Sequence, residues 1–268
     1  MSTLRNMGLL YMRNLRQAPR IPVVLVFGIV MPVIQLLLFG SLFQNVTELP
    51  AFTTSYPDVH YRAYIAPAII LLTTFLGMAN ASAALLVDLR TGYFDKLRTT
   101  PARPHQVIVA RLLAEMTRVT LQALLILFIS LALGATVKTG VLGAIVMVLL
   151  CVFFSACTVG LLVTALAMKT KSDQATQSSF PLFFILIFLS TAYQAKEALP
   201  DWLARVVKYN PVDYLIRAVR ELMIGANEGG HMVASWPMGQ ILIAVAASTV
   251  AAALLALLNL RIYRRMVG

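Results

Sequence analysis

The chain has 268 residues, of which 59% are hydrophobic and only 12% are charged. A soluble domain usually carries about a quarter charged residues, so this composition excludes an ordinary soluble enzyme or binding domain and indicates a polytopic helical membrane protein. The formal net charge of +11 would by itself also fit a nucleic-acid-binding protein. The distribution of the basic residues, described below, decides between these two interpretations.

Residues 1–20 are predicted to form an amphipathic helix. At 100° per residue, most of their apolar side chains fall on one arc, and the opposite arc carries Arg5, Arg13, Arg16 and Arg20. A basic amphipathic helix beside a membrane span usually lies at the lipid headgroup surface. We expect that position here, and contact with a protein partner is compatible with it.

Six apolar segments are predicted to cross the membrane, because about 20 mostly apolar residues span a bilayer. These spans are residues 21–43, 63–87, 107–137, 141–168, 175–193 and 238–258. The first follows charged residues, as a signal peptide would, but its apolar run is longer than the roughly 7–15 residues of a signal sequence. We therefore expect it to remain in the mature protein.

Two of the predicted spans carry residues that would suit a substrate pathway. The second span contains polar uncharged groups, and the fifth begins with a polar half before it becomes apolar. A half-polar span should face protein or a water-filled space. The candidate pathway residues are Thr73, Thr74, Asn80, Gln177, Phe180 and Phe184. Hydrogen bonds between packed helices would explain the same polar groups, and both interpretations remain open.

A charged segment, residues 88–104, separates the second and third predicted spans. Its basic residues are Arg90, Lys96, Arg98 and Arg103. Its apolar residues with the spacing of one helix face are Leu89, Tyr93, Phe94 and Leu97. We expect Asp88 to cap a short helix and Pro101 to end it. This helix would either lie on lipid headgroups or dock a soluble partner.

The basic residues are distributed unequally between the two sides of the predicted membrane. With six spans, 15 of the 22 Lys and Arg residues lie on the side of both termini and residues 88–104, and 7 lie on the other side. Short loops rich in Lys and Arg stay in the cytoplasm. The topology therefore explains the net charge without nucleic acid, and both termini are predicted to be cytoplasmic.

The sequence DLRTGYFDKLRTTP at residues 88–101 resembles the cytoplasmic-loop signature of ABC-2 type permeases, the membrane subunits of ATP-binding cassette exporters. It looks most similar to the daunorubicin-resistance branch, and residues 199–225 are similar to the family's extracellular re-entrant helices. The resemblance implies an all-α, type V exporter-like fold with six transmembrane helices, an N-terminal interface helix and a cytoplasmic coupling helix. The residues that it implies for coupling to the ATPase are Asp88, Arg90, Gly92, Tyr93, Phe94, Asp95, Leu97, Arg98, Pro101 and Lys171.

The resemblance also implies a function. The chain would be a permease subunit of the inner (plasma) membrane, with ATP and Mg bound by a partner ATPase subunit and none bound here. A second copy or a paralogue would complete a homo- or heterodimer embedded in lipid. The cargo would be an amphipathic drug or lipid moved outward, and a cell-surface polysaccharide or its lipid-linked precursor is the alternative. An ion-coupled secondary transporter is less well supported, because no ionisable residue lies in the middle of any predicted span.

No catalytic or metal site is predicted. The sequence has no nucleophile motif, no paired catalytic carboxylates within a span and no cluster with metal-ligand spacing. Cys151 and Cys157 are six residues apart on one predicted helix and point to different faces, so we expect neither a disulfide nor a shared metal. The three histidines are scattered along the chain.

Overall fold

The computed structural model describes residues 3–17, 22–91 and 104–267, and most of them are helical. The helices are α1 Thr3–Gln17, α2 Pro22–Leu42, α3 Pro50–Ser55, α4 Tyr61–Ala79, α5 Ala81–Arg90, α6 Pro104–Ala132, α7 Gly140–Ser155, α8 Leu161–Thr170, α9 Asp173–Gln177, α10 Phe180–Phe188, α11 Asp201–Val207, α12 Pro211–Ile224 and α13 Met238–Val267. Short 3-10 turns lie at Gln44–Glu48 and Lys196–Ala198. An antiparallel hairpin pairs β1 Ala226–Glu228 with β2 His231–Val233.

Helix α4 is the centre of the bundle. It packs against α2, α6, α7, α10 and α12, and 83% of its most apolar 18-residue window is buried. Small residues on α4 allow this close approach. At Gly77, an added Cβ would come within 2.5 Å of Val119 Cγ2 on α6, so this crossing requires glycine.

Four described helices are long and apolar enough to cross a membrane. They are Tyr61–Ala79, Gln106–Ala132, Gly140–Thr170 and Met238–Ile262. A shorter apolar helical stretch, Gly28–Leu42, lies within α2. These helices indicate a multi-pass membrane protein, and the count of six spans remains a prediction.

Two predicted spans have different limits in the structure. The predicted span 63–87 is divided at Asn80 into α4 and α5. Close to this break, the carbonyl oxygen of Gly77 in the last turn of α4 accepts a hydrogen bond from Arg118 Nη2 of α6 at 3.0 Å. The predicted span 107–137 is helical only to Ala132, because Gly134 takes a left-handed conformation with φ +92°.

The predicted fifth span, 175–193, is not one continuous helix. The structure has the short helices α9 and α10, separated at Ser178 and Ser179. Pro181 lies in the first turn of α10, a position that suits proline because its missing N–H is not needed there. The nine residues of α10 are about 13 Å long, less than half of a hydrocarbon core about 30 Å thick.

The segment after α10 includes a hairpin that the sequence pattern did not reveal. Gly229 and Gly230 form its turn with φ of +61° and +90°, as a two-residue hairpin turn requires. Gly225, with φ +89°, precedes the first strand, and an added Cβ would come within 2.2 Å of the Val233 carbonyl oxygen. Helix α13 follows and continues to Val267, nine residues beyond the predicted end of the last span.

A π-helical segment, Ala156–Gly160, joins α7 to α8 inside the predicted span 141–168. An added Cβ at Gly160 would lie 2.7 Å from Met78 Cε and 3.1 Å from Leu112 Cδ2. The glycine therefore lets α4 and α6 approach the bulge closely.

Candidate functional site

Three charged side chains from three helices meet beside the end of α5, just before residues 92–103. Asp88 of α5 accepts hydrogen bonds from Arg13 of α1, at 2.7 Å to Oδ1 and 3.2 Å to Oδ2. Arg111 of α6 donates to Asp88 Oδ2 at 2.9 Å. Asp88 and Arg111 are 4% and 5% exposed, whereas the Arg13 side chain is 30% exposed. We call these three residues the inner cluster.

The geometry of the inner cluster ties α1, α5 and α6 together. The bidentate contact between Arg13 and Asp88 fixes the relative orientation of the two groups as well as their distance. Burying charges costs several kcal/mol per ion, so such a cluster adds little net stability, but losing one partner is strongly unfavourable. The cluster therefore acts on the positions of the helices more than on overall stability.

A small apolar core surrounds this end of the bundle. It is separate from the main core and contains Leu85, Leu86, Val107, Ala167 and Met168. Leu10, Ile108 and Ile262 pack against its edge. Since these residues come from α1, α5, α6, α8 and α13, a displacement of α5 is transmitted by packing as well as by charge.

A second ion pair lies one turn further along α6. Arg118 contacts Glu115 at 2.7 Å and also donates to the Gly77 carbonyl oxygen of α4. The spacing of Arg111, Glu115 and Arg118 places them on one helix face. In the structure, Arg111 binds Asp88 while Glu115 pairs with Arg118.

Three of the ten predicted coupling residues are described, namely Asp88, Arg90 and Lys171. The other seven lie outside the described residues: Gly92, Tyr93, Phe94, Asp95, Leu97, Arg98 and Pro101. Arg90 is exposed in the last turn of α5. Lys171 is exposed and ends α8 with φ +52°. Because α5 packs against α8 and α9, both predicted docking segments lie at the same end of the bundle.

The expected capping role of Asp88 is wrong. Helix α5 continues through Asp88 to Arg90, so the residue lies in the last turn of a helix and not at the start of one. Its carboxylate binds two guanidinium groups instead of backbone N–H groups. Two nearby arginines stabilise a carboxylate that would otherwise be unfavourable at a helix C-terminus.

The predicted pathway residues of the second span lie in packed surroundings. Thr73 and Thr74 are 2% and 0% exposed. Thr73 donates to the Ile69 carbonyl oxygen at 2.8 Å, and Thr74 Oγ1 is hydrogen-bonded to Ser155 Oγ of α7 at 2.6 Å. Asn80 is half-buried at the end of α4. The two threonines thus take part in helix packing in this conformation, and their role in a pathway remains a prediction.

The predicted pathway residues of the fifth span lie on a more open face. Gln177 is exposed at the end of α9, and Phe180 and Phe184 are half-buried on α10. The two phenylalanines line an apolar groove of about 570 Å³. Its other lining residues are Pro181, Ile185, Phe188 and Leu189. This groove has the size and the apolar character of a small-molecule site.

At the opposite end of the bundle, a buried arginine binds backbone carbonyl oxygens. Arg220 of α12 is 1% exposed and donates to the carbonyl oxygens of Thr191 at 2.6 Å and Ala192 at 3.2 Å. Its guanidinium lies 3.8 Å from the centre of the Tyr64 ring, a cation–π contact. Burial alone would lower the pKa of Arg220, but Tyr64, Tyr56 and Asp213 outweigh that effect and hold the pKa above its ordinary value.

Asp213 completes this outer group. It is 0% exposed and accepts hydrogen bonds from Thr191 N at 2.8 Å and Thr191 Oγ1 at 2.7 Å. Arg217 pairs with its other oxygen at 2.7 Å. We call Tyr64, Thr191, Asp213 and Arg220 the outer cluster.

The outer cluster and a neighbouring asparagine hold the far end of α10. Asn210 accepts from Val212 N as the N-cap of α12, and its Nδ2 donates to the carbonyl oxygens of Leu186 and Leu189 at 2.7 Å each. One side chain thus caps two helices. The pair Asn210-Pro211 is a helix start signal in the sequence. No sequence pattern signals the buried Arg220, because its carbonyl partners have no characteristic side chain.

Metal ligation has no support in the described part of the chain. Within residues 3–17, 22–91 and 104–267, no group of three His, Cys, Asp or Glu side chains is arranged to hold a metal ion. The two buried carboxylates of the clusters, Asp88 and Asp213, bind arginines.

Comparison with known proteins gives a family match and several relatives. The family model described as ABC-2 type transporter matches residues 5–224. The daunorubicin resistance ABC transporter permease protein DrrB1 of Streptomyces coeruleorubidus is 26% identical over 243 residues, which cover 91% of this chain and 80% of the relative. The putative transport permease ycf38 of Pyropia yezoensis is 29% identical over 234 residues, covering 84% and 76%. The probable multidrug ABC transporter permease YbhR of Escherichia coli K12 is 23% identical over 191 residues, covering 71% and 51%.

Proposed function

The chain belongs to the ABC-2 type transporter family, and on that premise we propose that it is the permease subunit of an ATP-binding cassette exporter driven by a separate ATPase subunit. It is a multi-pass protein of the plasma membrane with both termini in the cytoplasm. A second copy or a paralogue completes the pore. ATP and Mg bind to the partner subunit, where hydrolysis takes place.

The observation that carries this proposal is the inner cluster, next to the family's docking segment. Residues 92–103 leave from the end of α5 and return at the start of α6. Asp88 lies in the last turn of α5, close to the start of that segment. It is bound to α1 and α6 by short contacts to Arg13 and Arg111. Force applied to residues 92–103 is therefore passed to three helices at once.

A second contact supports the same mechanism. The turn after α8, which contains Lys171, lies beside α5 because α9 packs against both α5 and α8. An ATPase that binds residues 92–101 also reaches this turn. Closure of two ATPase subunits then pushes on both segments, and the inner cluster makes α1, α5 and α6 respond as one body.

The proposed cargo is an amphipathic drug or lipid. One relative is named a daunorubicin resistance permease and another a probable multidrug permease. The apolar groove at Phe180 and Phe184 suits a ligand of that kind. We place the pathway along α10 and the adjoining face of α4, with a second subunit forming the opposite wall.

The docking role is tested by replacing Phe94 or Leu97 with Asp. An exposed apolar docking face loses its affinity when a charge is placed in its centre. We expect each variant to insert normally and to lose co-purification with its partner ATPase subunit. Tyr209, which is 81% exposed at the opposite end, supplies the matched control, and Tyr209→Asp should keep the complex. Retention of the ATPase by both Phe94→Asp and Leu97→Asp would refute the docking role.

Transport itself is tested in proteoliposomes that contain the purified complex. Daunorubicin should cross the membrane only when ATP and Mg are supplied on the side of the ATPase. Movement driven by an ion gradient in vesicles that contain this chain alone would overturn the exporter mechanism in favour of secondary transport. A complex that hydrolyses ATP in response to a lipid-linked saccharide, and not to drugs or phospholipids, would reassign the cargo.

A further inference from the structure

A large apolar groove lies between α1 and the spans, away from the proposed pathway on α10. Its volume is about 850 Å³, within the range of roughly 300–1,000 Å³ for ligand sites. One wall is α6 from Leu113 to Thr120, and another is α7 from Val146 to Phe153. Met7, Gly8 and Tyr11 of α1 close one side. The groove runs beside two helices that are apolar enough to cross the membrane.

The polar groups in the walls are already satisfied. Tyr11 Oη is hydrogen-bonded to Thr117 Oγ1 at 3.0 Å, and Thr117 Oγ1 also donates to the Leu113 carbonyl oxygen at 2.9 Å. Thr120 donates to the Met116 carbonyl oxygen at 2.7 Å. The groove therefore presents hydrocarbon to an occupant, while Leu149, 55% exposed, leaves it accessible from the side.

Gly8 leaves room where α1 faces the groove. A glycine inside a helix costs roughly 0.5–1 kcal/mol relative to alanine, and packing inside the chain does not require it here. An added Cβ at Gly8 would meet no described atom within 4 Å. Space for something outside this chain accounts for the residue.

A basic residue lies close to the α1 wall of the groove. Arg5 lies three residues before Gly8 on α1, a spacing that brings the two positions about 5–6 Å apart. Arg5 and Arg16 are exposed, and α1 contains no acidic residue. Basic residues on an interfacial helix attract anionic lipid headgroups.

From these observations we propose that the groove binds an acyl chain of an anionic phospholipid, whose headgroup phosphate is held by Arg5. The bound lipid fills the space between α1, α6 and α7 and fixes α1 on the bundle. This site needs only the membrane location of the chain and not its role as an exporter.

The test uses the full-length chain in nanodiscs of phosphatidylglycerol and phosphatidylcholine, with a phosphatidylglycerol analogue that carries a photoreactive diazirine on one acyl chain. We expect labelling within residues 113–120 and 146–153, mapped by mass spectrometry. Gly8→Phe and Leu149→Trp fill the groove from opposite walls and should each reduce this labelling to background. Gly8→Ala is the matched control and should keep it. Arg5→Gln should weaken labelling by phosphatidylglycerol about fivefold, because one basic residue near the surface contributes about 1 kcal/mol.

Three results would overturn the proposal. The first is equal labelling in wild type and in both filling variants, provided that the variants elute as the wild type does in gel filtration. The second is equal labelling by a phosphatidylcholine analogue with the same diazirine. The third is a cross-link through the groove to a second copy of this chain in place of lipid. Loss of ATPase binding in the experiments above leaves this site unaffected, so the two proposals fail separately.

Discussion

The inner and outer clusters both bury a guanidinium, but they bind it through different partners. In the inner cluster, side chains from three helices bind one another, with Asp88 between Arg13 and Arg111. In the outer cluster, Arg220 binds backbone carbonyl oxygens of Thr191 and Ala192. Side chains exchange partners when helices shift, whereas backbone groups cannot leave without local unfolding. The inner cluster is therefore suited to a joint between moving helices, and the outer cluster to a fixed anchor.

The arginines of the two clusters also differ in how much of the side chain is exposed. The Arg13 side chain is 30% exposed, so water can receive it when its partner is lost, and salt screens part of its attraction. Arg220 is 1% exposed, so water cannot replace the carbonyl partners of its guanidinium. Loss of stability should therefore dominate at the outer cluster, and loss of transport at the inner one.

The largest effect is expected at Arg220. Arg220→Met keeps the apolar volume but leaves the carbonyl oxygen of Ala192 without its side-chain donor, and that of Thr191 with only the Tyr64 hydroxyl. Bonds to a charged donor contribute about 1.5–3 kcal/mol each, so we expect a loss of at least about 3 kcal/mol in the free energy of unfolding, measured by thermal denaturation in detergent. Arg205→Met is the control, because Arg205 is exposed on the neighbouring helix α11. Equal destabilisation by both variants would remove the distinction between a buried anchor and an exposed arginine.

An intermediate effect is expected at Asp88. Asp88→Asn keeps the shape but removes the charge that balances Arg13 and Arg111, and the expected loss of stability is about 1–3 kcal/mol. ATP-driven transport in proteoliposomes should fall much more than co-purification with the ATPase, because the joint fails while docking remains. Asp88→Glu should restore part of the transport. Unchanged transport in Asp88→Asn would show that the inner cluster does not transmit force.

The smallest effect on stability is expected at Arg13. A partly exposed ion pair contributes about 0–1 kcal/mol, so Arg13→Gln should barely shift the unfolding midpoint. Transport should still decrease, because α1 loses its ion pair with α5. Arg16→Gln provides the control, since Arg16 is exposed on the same helix. A larger loss of stability than in Asp88→Asn would contradict the order proposed here.

Local patterns were enough to predict much of the fold. The spacing of apolar residues predicts α1, the apolar runs predict the long helices, and Asn210-Pro211 predicts the start of α12. The break between α9 and α10 was missed because residues 180–193 form an apolar run whose mean composition hides the effect of Pro181. Helix boundaries depend on such single residues, and on glycines such as Gly134.

The clusters were harder to predict, because their partners are distant in sequence. Asp88 and Arg111 are 23 residues apart and Asp88 and Arg13 are 75 apart, so only tertiary packing brings them together. Asp88 was expected to cap the helix that follows it, whereas its carboxylate binds the two arginines. In the sequence, Arg220 is only one of the seven basic residues on the side opposite the termini. A chain position alone does not distinguish a solvated arginine from one that backbone carbonyls surround.

The contrast between α4 and α13 has a consequence for how sequences in this family diverge. In this chain, 83% of the apolar window of α4 is buried, against 11% for α13. A substitution in α4 must match the shape of five neighbouring helices, whereas most side chains in the apolar window of α13 meet little of this chain that would restrict their shape. Random exchange among Leu, Val, Ile and Ala should therefore accumulate along the last helix over evolutionary time, while the central one keeps its pattern of small residues.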